Sequence, residues 1–446
     1  MHKTHVKNTV RYYLILIAAF VLLFFSNDFG LIDVQKTAIV LAVGIDREDD
    51  TFIVTSQIAV PQPSKQEKST KSVQLVSRGE TVAEAFEEIN AKTGWYPKLV
   101  FCRLILLGEK ACEQNVFDAL DYFLRDEYMS DNCLLAACDG HAKDVLNVTA
   151  LVDATSSTAI EKVLSQHAER VGAVLTSTLR EFSIGYFSEG RSGYLPVIKI
   201  EPQQETVGSE SSESAQKGSP SQDGQKEKSK NESSSGESSK NSESSSEESS
   251  SQSSSDSGNG SSKESKSSSG DSGGNASEPL FSAGETALFV GGKRVDTLTK
   301  EESFAVNVVL NKLQLATYSL RQGEEICSLT IKRNEPKMKL TIGKNGIPSF
   351  KIQVTCHAGI LDYSKSQDLS SLGDVGDVPR GSFPLAETLL KAQIVSAFEK
   401  TRACGCDLFG IVERLEKYQK KHFYALRGEV LDRVVLNATI SFKNIR

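Results

Sequence analysis

The stretch TAIVLAVGIDREDDTFIVTSQIAV, Thr37 to Val60, decides how the rest of this chain is read. TAIVLAVGID (37–46) and TFIVTSQIAV (51–60) are β-rich runs, joined by Arg47, Glu48, Asp49 and Asp50. Two such runs about a short polar turn form the pattern of a β-hairpin. Helices and strands then alternate. TVAEAFEEINAKT (81–93) predicts a helix, with Thr81 and Glu84 as a capping box and Val82, Phe86 and Ile89 on one face. LVFCRLILLGE (99–109) predicts a strand apolar enough to be buried on both faces. VFDALDYFLRD (116–126) predicts a second helix with Val116, Ala119, Leu120 and Phe123 inward, and NCLLAAC (132–138) another strand. A helical region is expected from about Ser156 to Tyr186, and YLPVIKI (194–200) closes the block as a strand. An opening hairpin before alternating elements favours a mixed α+β sheet over a purely parallel one.

A second block begins with ETALFVGGKRVDTLTKEES, read as two short strands about Gly291-Gly292 and then a helix. Thr299 and Glu302 make its capping box, and Phe304, Val308 and Leu315 its apolar face. Three alternating strands follow, marked by Leu329 and Ile331, by Met338, Leu340 and Ile342, and by Phe350, Ile352, Val354 and Cys356. Asn345-Gly346 is a strong hairpin turn between the last two. A long helix is expected after Pro384, with Leu390, Ile394 and Phe398 on one face, continuing or restarting through CGCDLFGIVERLEKYQ. VVLNATISF (434–442) is the last strand of what reads as an antiparallel meander with long helices on one face.

Between the blocks, residues 201–280 hold 31 serines, and residues 208–279 contain no aromatic or branched aliphatic side chain. Such a tract buries too little apolar surface to offset the entropy of ordering, and a disordered linker is expected. Its r.m.s. span is on the order of 45–50 Å for about 70 flexible residues, enough for the blocks to separate or for the tract to loop out while they stay packed. Looping out is preferred. Residues 209–278 carry 13 acidic and 7 basic side chains, a net of −6 against −7 for the whole chain. The remainder is near neutral, with no basic stripe for nucleic-acid phosphates.

At the N-terminus, YYLILIAAFVLLFF (12–25) follows Lys3, Lys7 and Arg11 and precedes Asp28 and Asp33. Basic residues before the run and acidic residues after it place the N-terminus in the cytoplasm and the bulk of the chain outside. The run is short for a span of about 20 residues, but Val10, Arg11 and Phe29 to Ile32 extend its reach. No small-residue cleavage site follows it, and the first cysteine is Cys102, so a retained signal anchor is preferred to a cleaved signal. The expected organisation is therefore a cytoplasmic N-terminus (1–11), a transmembrane anchor (12–27), an α+β region of one or two subdomains (31–201), a serine-rich linker (202–280) and a C-terminal α+β domain (281–446). The fold class is α+β, two or three mixed domains with antiparallel-rich sheets flanked by helices.

The order of these segments resembles the Ger(x)C family, the C subunits of spore germinant receptors. In the first block the resemblance rests on AIVLAVGID with TSQIAVPQ, the helix-then-strand segment ending LILLGE, and LDYFLRDEYMSDN. In the second it rests on GETALFVGGKRVDTL and CDLFGIVERLEKYQ, the latter similar to the family's Asp-Ile-Phe-Gly helix. The resemblance implies a non-catalytic subunit in the spore's inner membrane, partnered by multi-span A-type and B-type subunits, the B-type binding the nutrient. Direct nutrient binding by this chain is not expected. The chain departs from the family in lacking a cysteine for lipid attachment after its apolar run, in carrying Arg103 where a histidine is common, and in the serine tract.

No catalytic, cofactor-binding or metal-binding residues are assigned. The six histidines (His2, His5, His141, His167, His357, His422) have no metal-ligand spacing, and no nucleophile elbow or phosphate-binding glycine motif occurs. Cys404-Gly-Cys406 and Cys356-His357 come nearest to a metal or thiol site. Without a second pair they are read as core residues, as are Cys102, Cys133 and Cys138 in strand patterns. Glu84, Glu87, Glu88, Asp118 and Asp121 are read as solvated helix faces rather than paired catalytic carboxylates. The sequons at Asn147 and Asn437 are read as chance, and the serine tract as a passive spacer. Two rival classes remain: an exported envelope sensor or adaptor outside sporulation, and a cell-wall hydrolase.

Overall fold

The computed structural model describes residues 11–21, 37–60, 71–148, 153, 155–167, 172, 174–201, 280–313, 315–323, 325–364 and 378–445. The serine tract and residues 22–36 lie outside them. Three strands open the chain's body: β1 (Thr37–Glu48), β2 (Thr51–Val60) and β3 (Lys71–Gly79). β1 and β2 form the expected hairpin, with Glu48 opposite Thr51 and the turn at Asp49, whose φ is 51°. β4 (Tyr96–Lys98), β5 (Leu104–Leu107), β6 (Leu134–Cys138), β7 (Ser177–Thr178) and β8 (Ser192–Glu201) follow, separated by helices over Val82–Thr93, Glu109–Glu113, Phe117–Arg125, Ala142–Asn147, Ser156–Lys162 and Leu179–Phe187. After the serine tract come β9 (Leu280–Val290) and β10 (Lys293–Leu298), the helix Lys300–Leu310, then β11 (Ala316–Gln322), β12 (Glu325–Ile342), β13 (Pro348–Tyr363) and β14 (Val435–Asn444).

The strands make two sheets. In the first, the order is β10-β9-β8-β6-β5-β1-β2-β3, with β4 on β1 and β7 on β6. Its centre, β1-β5-β6-β8, is parallel, and antiparallel pairs flank it on either side. Alternation sends Val43, Ile45, Ile105, Leu107, Leu135 and Ala137 into one core, and Ala42, Leu104, Leu106, Ala136 and Cys138 into another. Helices Val82–Thr93, Phe117–Arg125 and Leu179–Phe187 cover the first face; Ala142–Asn147 and Ser156–Lys162 cover the second. Burial on both faces is the condition under which parallel strands are stable, and it explains the unbroken apolar run LILL.

β9 and β10, from beyond the serine tract, complete this first sheet. Glu201, the last residue of β8, pairs with Leu280, the first of β9. The two ends of the tract are therefore neighbours across one ladder, about 5 Å apart. The second sheet, β11-β12-β13-β14, has one face packed under helices Lys300–Leu310, Ser382–Ala403 and Ile411–Tyr418, with Leu329, Ile331, Phe350, Ile352 and Val354 in a shared core.

Several local readings change. The expected helix from Ser156 to Tyr186 is broken: a π-helical turn follows at Val163–His167, then β7, then a new helix at Leu179. Thr81 accepts from Glu84 N (3.2 Å), but the Glu84 side chain bonds Glu80 N (2.8 Å) rather than closing a box; Thr299 and Glu302 do close one. Leu315 falls past the helix end at Asn311 and is exposed. The two strands expected at 329–342 are one continuous β12, and β11 before it carried too little apolar alternation to stand out. The Gly343–Ile347 turn sits where Asn345-Gly346 predicts it, with Gly346 at φ 76°. The long helix starts at Ser382, ahead of Pro384, because a first-turn proline loses no hydrogen bond. It stops at Cys404, and Ile411 restarts the next helix. β14 runs parallel to β13, not antiparallel, since the chain returns through the helices at 382–433 before pairing.

Of the apolar N-terminal run, residues 11–21 form a helix, and the remainder lies outside the described residues. Eleven residues span about 16 Å, and no described helix is long and apolar enough to cross a membrane.

Candidate functional site

Two aspartates, Asp46 buried and Asp407 half-buried, organise the regions that AVGID and CDLFG mark in the sequence. Asp46, at the end of β1, is 3 % exposed and accepts from Ala142 N (2.7 Å) and Lys143 N (3.0 Å). It thereby caps the helix Ala142–Asn147 from another element, with His141 Nδ1 at 3.7 Å. Gly108 lies so close that a Cβ there would stand 2.0 Å from Asp46 Oδ1, which explains the glycine ending LILLGE. Burial pushes the Asp46 carboxyl up, against the pull of the Lys143 and Ala142 amides.

Asp407 repeats the device in the second block. Its carboxylate accepts from Ile411 N (2.6 Å) and Val412 N (2.9 Å), capping the helix Ile411–Tyr418, while its own amide donates to Ser192 Oγ (2.7 Å) on β8. Burial again raises the carboxyl, against the Ile411 and Val412 amides. Cys406 Sγ lies 3.8 Å from the carbonyls of Gly193 and Phe289, on β8 and β9. CGCDLFG is thus a corner that pins the C-terminal helices to the first sheet.

The sign of the Asp46 effect on stability follows from its raised value. In the unfolded chain the carboxyl titrates near its ordinary value of about 3.9. Between that value and the higher folded one, the folded state binds more protons, so stability falls as pH rises and then levels. Asp46→Asn keeps one oxygen for the helix amides and carries no charge. From about pH 3.5 to 6 its urea midpoint is expected to gain on that of the wild type. A gap moving the other way would mean that the folded carboxyl titrates low.

Around Asp407 a groove of about 360 Å³ is lined by Glu181, Ile184, Tyr194, Lys312, Phe409 and Glu413, among others. Lys312 Nζ donates to Glu181 Oε2 (3.0 Å) and Thr176 O (3.2 Å) and lies 5.3 Å from the Tyr194 ring centre. Further staples join the blocks nearby. Asn307 Nδ2 donates to Gly172 O and Val174 O, both at 2.8 Å; within the second block, Lys400 Nζ reaches Glu302 Oε2 (3.2 Å) and Thr297 O (2.8 Å). Glu302 is desolvated, yet the Thr299 amide, Ser396 and Lys400 hold its carboxyl below the usual range. Asp407, Lys312 and Glu181 in this groove are engaged in holding the fold.

The residues weighed in the sequence fall apart in space. Cys356 is buried and His357 faces the other side of β13, 3.7 Å from Glu335, as strand alternation requires. Burial raises the thiols of Cys112 and Cys356 to about 12 and pushes those of Cys138 and Cys406 well up, so they are protonated and poor nucleophiles or ligands. Cys102 and Cys133 are buried but sit just before β5 and β6, not within them. Among the described residues, no group of three histidine, cysteine or acidic side chains could hold a metal. Glu88 pairs with Lys92 (2.8 Å), Asp121 with Arg125 (2.6 Å) and Asp118 with Arg47 (3.4 Å), each on its own surface. Arg103 reaches Glu161 at 3.0 Å. Asp46 was legible as a motif member but not as a cap, because nothing local announces the helix it serves 96 residues on, whereas Asp407 caps the helix that follows it within the same motif.

Residues 31–200 match the family described as spore germination protein N-terminal domain, and residues 284–443 the family described as spore germination B3/GerAC like, C-terminal. The chain is 30% identical over 132 residues to spore germination protein B3 of Bacillus subtilis (strain 168), a match covering 28% of this chain and 34% of that protein. The matched stretch thus spans about a third of that relative's length. The crystal structure of the GerBC protein aligns over 91% of this chain and 97% of that one, at 16% identity and a TM-score of 0.46. With both blocks matched in order and across most of its length, the chain belongs to the Ger(x)C family of spore germination proteins.

Proposed function

We propose that this chain is a membrane-tethered, non-catalytic C subunit of a spore germinant receptor, working through contacts with A-type and B-type membrane subunits. The observation that carries the tether is the helix over residues 11–21. Tyr12, Leu14, Leu16, Ile17 and Phe20 are each more than half exposed, so its apolar side chains pack on nothing described in this chain. A helix that is apolar all round is stable when lipid covers it. Basic residues before it and acidic residues after it support a single pass with the bulk of the chain on the outer side of the spore inner membrane. Tethering makes a weak contact with a neighbouring subunit effectively intramolecular, which raises its occupancy without new contacts. The non-catalytic part of the reading is supported by aspartates committed to helix caps, protonated thiols and dispersed carboxylates.

The test is removal of residues 1–30 in a spore former that carries the A-type and B-type subunits. The shortened chain is expected to leave the membrane fraction, and germination to fall to the level of a strain lacking the gene. A shortened chain that stays with the membrane, or a wild-type mature protein found without its first thirty residues and free of membrane, would overturn the reading.

A further inference from the structure

We infer that the end of the first sheet from which β1 starts is a lipid-contacting face, with Trp95, Tyr96, Val100, Phe101 and Tyr128 lying in the headgroup region of the bilayer. The inference rests on the tethered reading above and adds the surface that the tether brings down. β4 pairs parallel with the start of β1, Thr37 opposite Tyr96 and Ile39 opposite Lys98. β5 and β6 start at the same end of the sheet, where Ala42, Leu104 and Leu134 align. The segment from Gly94 to Arg103, which carries β4, and the loop before β6 therefore emerge together. They expose Trp95 by 45%, Tyr96 by 50%, Val100 by 47%, Phe101 by 54% and Tyr128 by 57%.

Exposed apolar residues scattered singly need no explanation, but five at one end of one sheet do. Their chemistry is selective. Trp and Tyr concentrate at membrane–water interfaces, where an apolar ring and a polar tip are both accommodated. Lys98 Nζ lies 4.3 Å from the Tyr128 ring centre, a long cation able to rest its stem on the rings and its charge among headgroups.

Chain connectivity names the occupant. Fifteen residues (22–36) separate the bare apolar helix from Thr37, the first residue of β1 at this same end. Fully extended they reach about 50–55 Å, and any less extended path brings the aromatic end nearer the bilayer. The polypeptide thus enters the folded body from the lipid side through the face that carries the aromatics. Charges near this end are mixed, with Arg103 on Glu161 and Arg125 on Asp121, so contact would come from ring insertion rather than from attraction to anionic lipid.

Trp95 is the one tryptophan of the chain, so its emission reports this face alone. The full-length protein is reconstituted into phosphatidylcholine vesicles, and flotation is measured beside Trp95 fluorescence with and without lipid brominated near the headgroup. The expected result is flotation, emission shifted to shorter wavelength, and loss of most of the emission on the brominated lipid. Phe101→Ser with Tyr128→Ser, both at exposed positions, is expected to weaken that quenching while flotation persists. Protein that floats while Trp95 is quenched by aqueous iodide and not by the lipid overturns the inference and leaves the tether standing. Quenching that appears only when the receptor's membrane subunits are added assigns the face to a protein and also overturns it. Protein that does not float removes both readings.

Discussion

Asp407→Ala is expected to destabilise the protein by about 2–4 kcal/mol, combining a lost helix cap with two partly buried amides left without a partner. Asp407 accepts from Ile411 N and Val412 N, and in this half-buried corner water would replace it only in part. At the size of this folded body, the loss lowers the melting temperature by roughly 3–5 °C. Amide exchange should quicken first in the helix Ile411–Tyr418, whose N-terminus is freed, and then at β8, where Ser192 accepts from the Asp407 amide. Asp407→Asn, with one oxygen still able to accept, is expected to cost about 1 kcal/mol. Equal losses in the two variants would mean that the corner needs both carboxylate oxygens, or their charge, and that one accepting oxygen of the same shape does not hold it.

The serine tract is expected to be dispensable for folding, and its removal to stabilise. Deleting residues 208–278 leaves seven residues between Glu201 and Leu280, which are paired neighbours in the ladder of β8 and β9. Seven residues close such a gap comfortably, as ordinary hairpin loops are shorter. Shortening the connection from 78 residues to seven lowers the loop-closure entropy by about 2 kcal/mol in favour of the folded state. The deletion variant should express as well as the full chain, keep its membrane association, and melt roughly 3 °C higher. Aggregation or loss of expression would show that the tract shields a surface or takes part in folding.

That second prediction turns on a point that the sequence left open. Composition alone marks residues 208–279 as a linker, and a linker of that length permits two separated domains as readily as one joined body. The pairing of Glu201 with Leu280 chooses between them, because β9 and β10 are the antiparallel edge of the first block's own sheet. The reading of a C-terminal domain beginning near residue 281 thus gains a refinement: its first two strands belong structurally to the block before the tract.

Local order was the part written in the chain. Apolar alternation marked the hairpin at Thr37–Val60, period-3.6 spacing marked Phe86 and Ile89 or Leu390, Ile394 and Phe398, and Thr299 with Glu302 closed its box as the residue types require. These features depend on neighbours within a few positions, so the sequence by itself determined them. Tertiary structure alone decided which strands lie side by side, that β14 joins β13 in parallel, and which helix Asp46 would cap. The reason is physical: a strand has the same side-chain period whichever partner it takes, and a buried carboxylate is tolerable only where distant backbone amides converge on it.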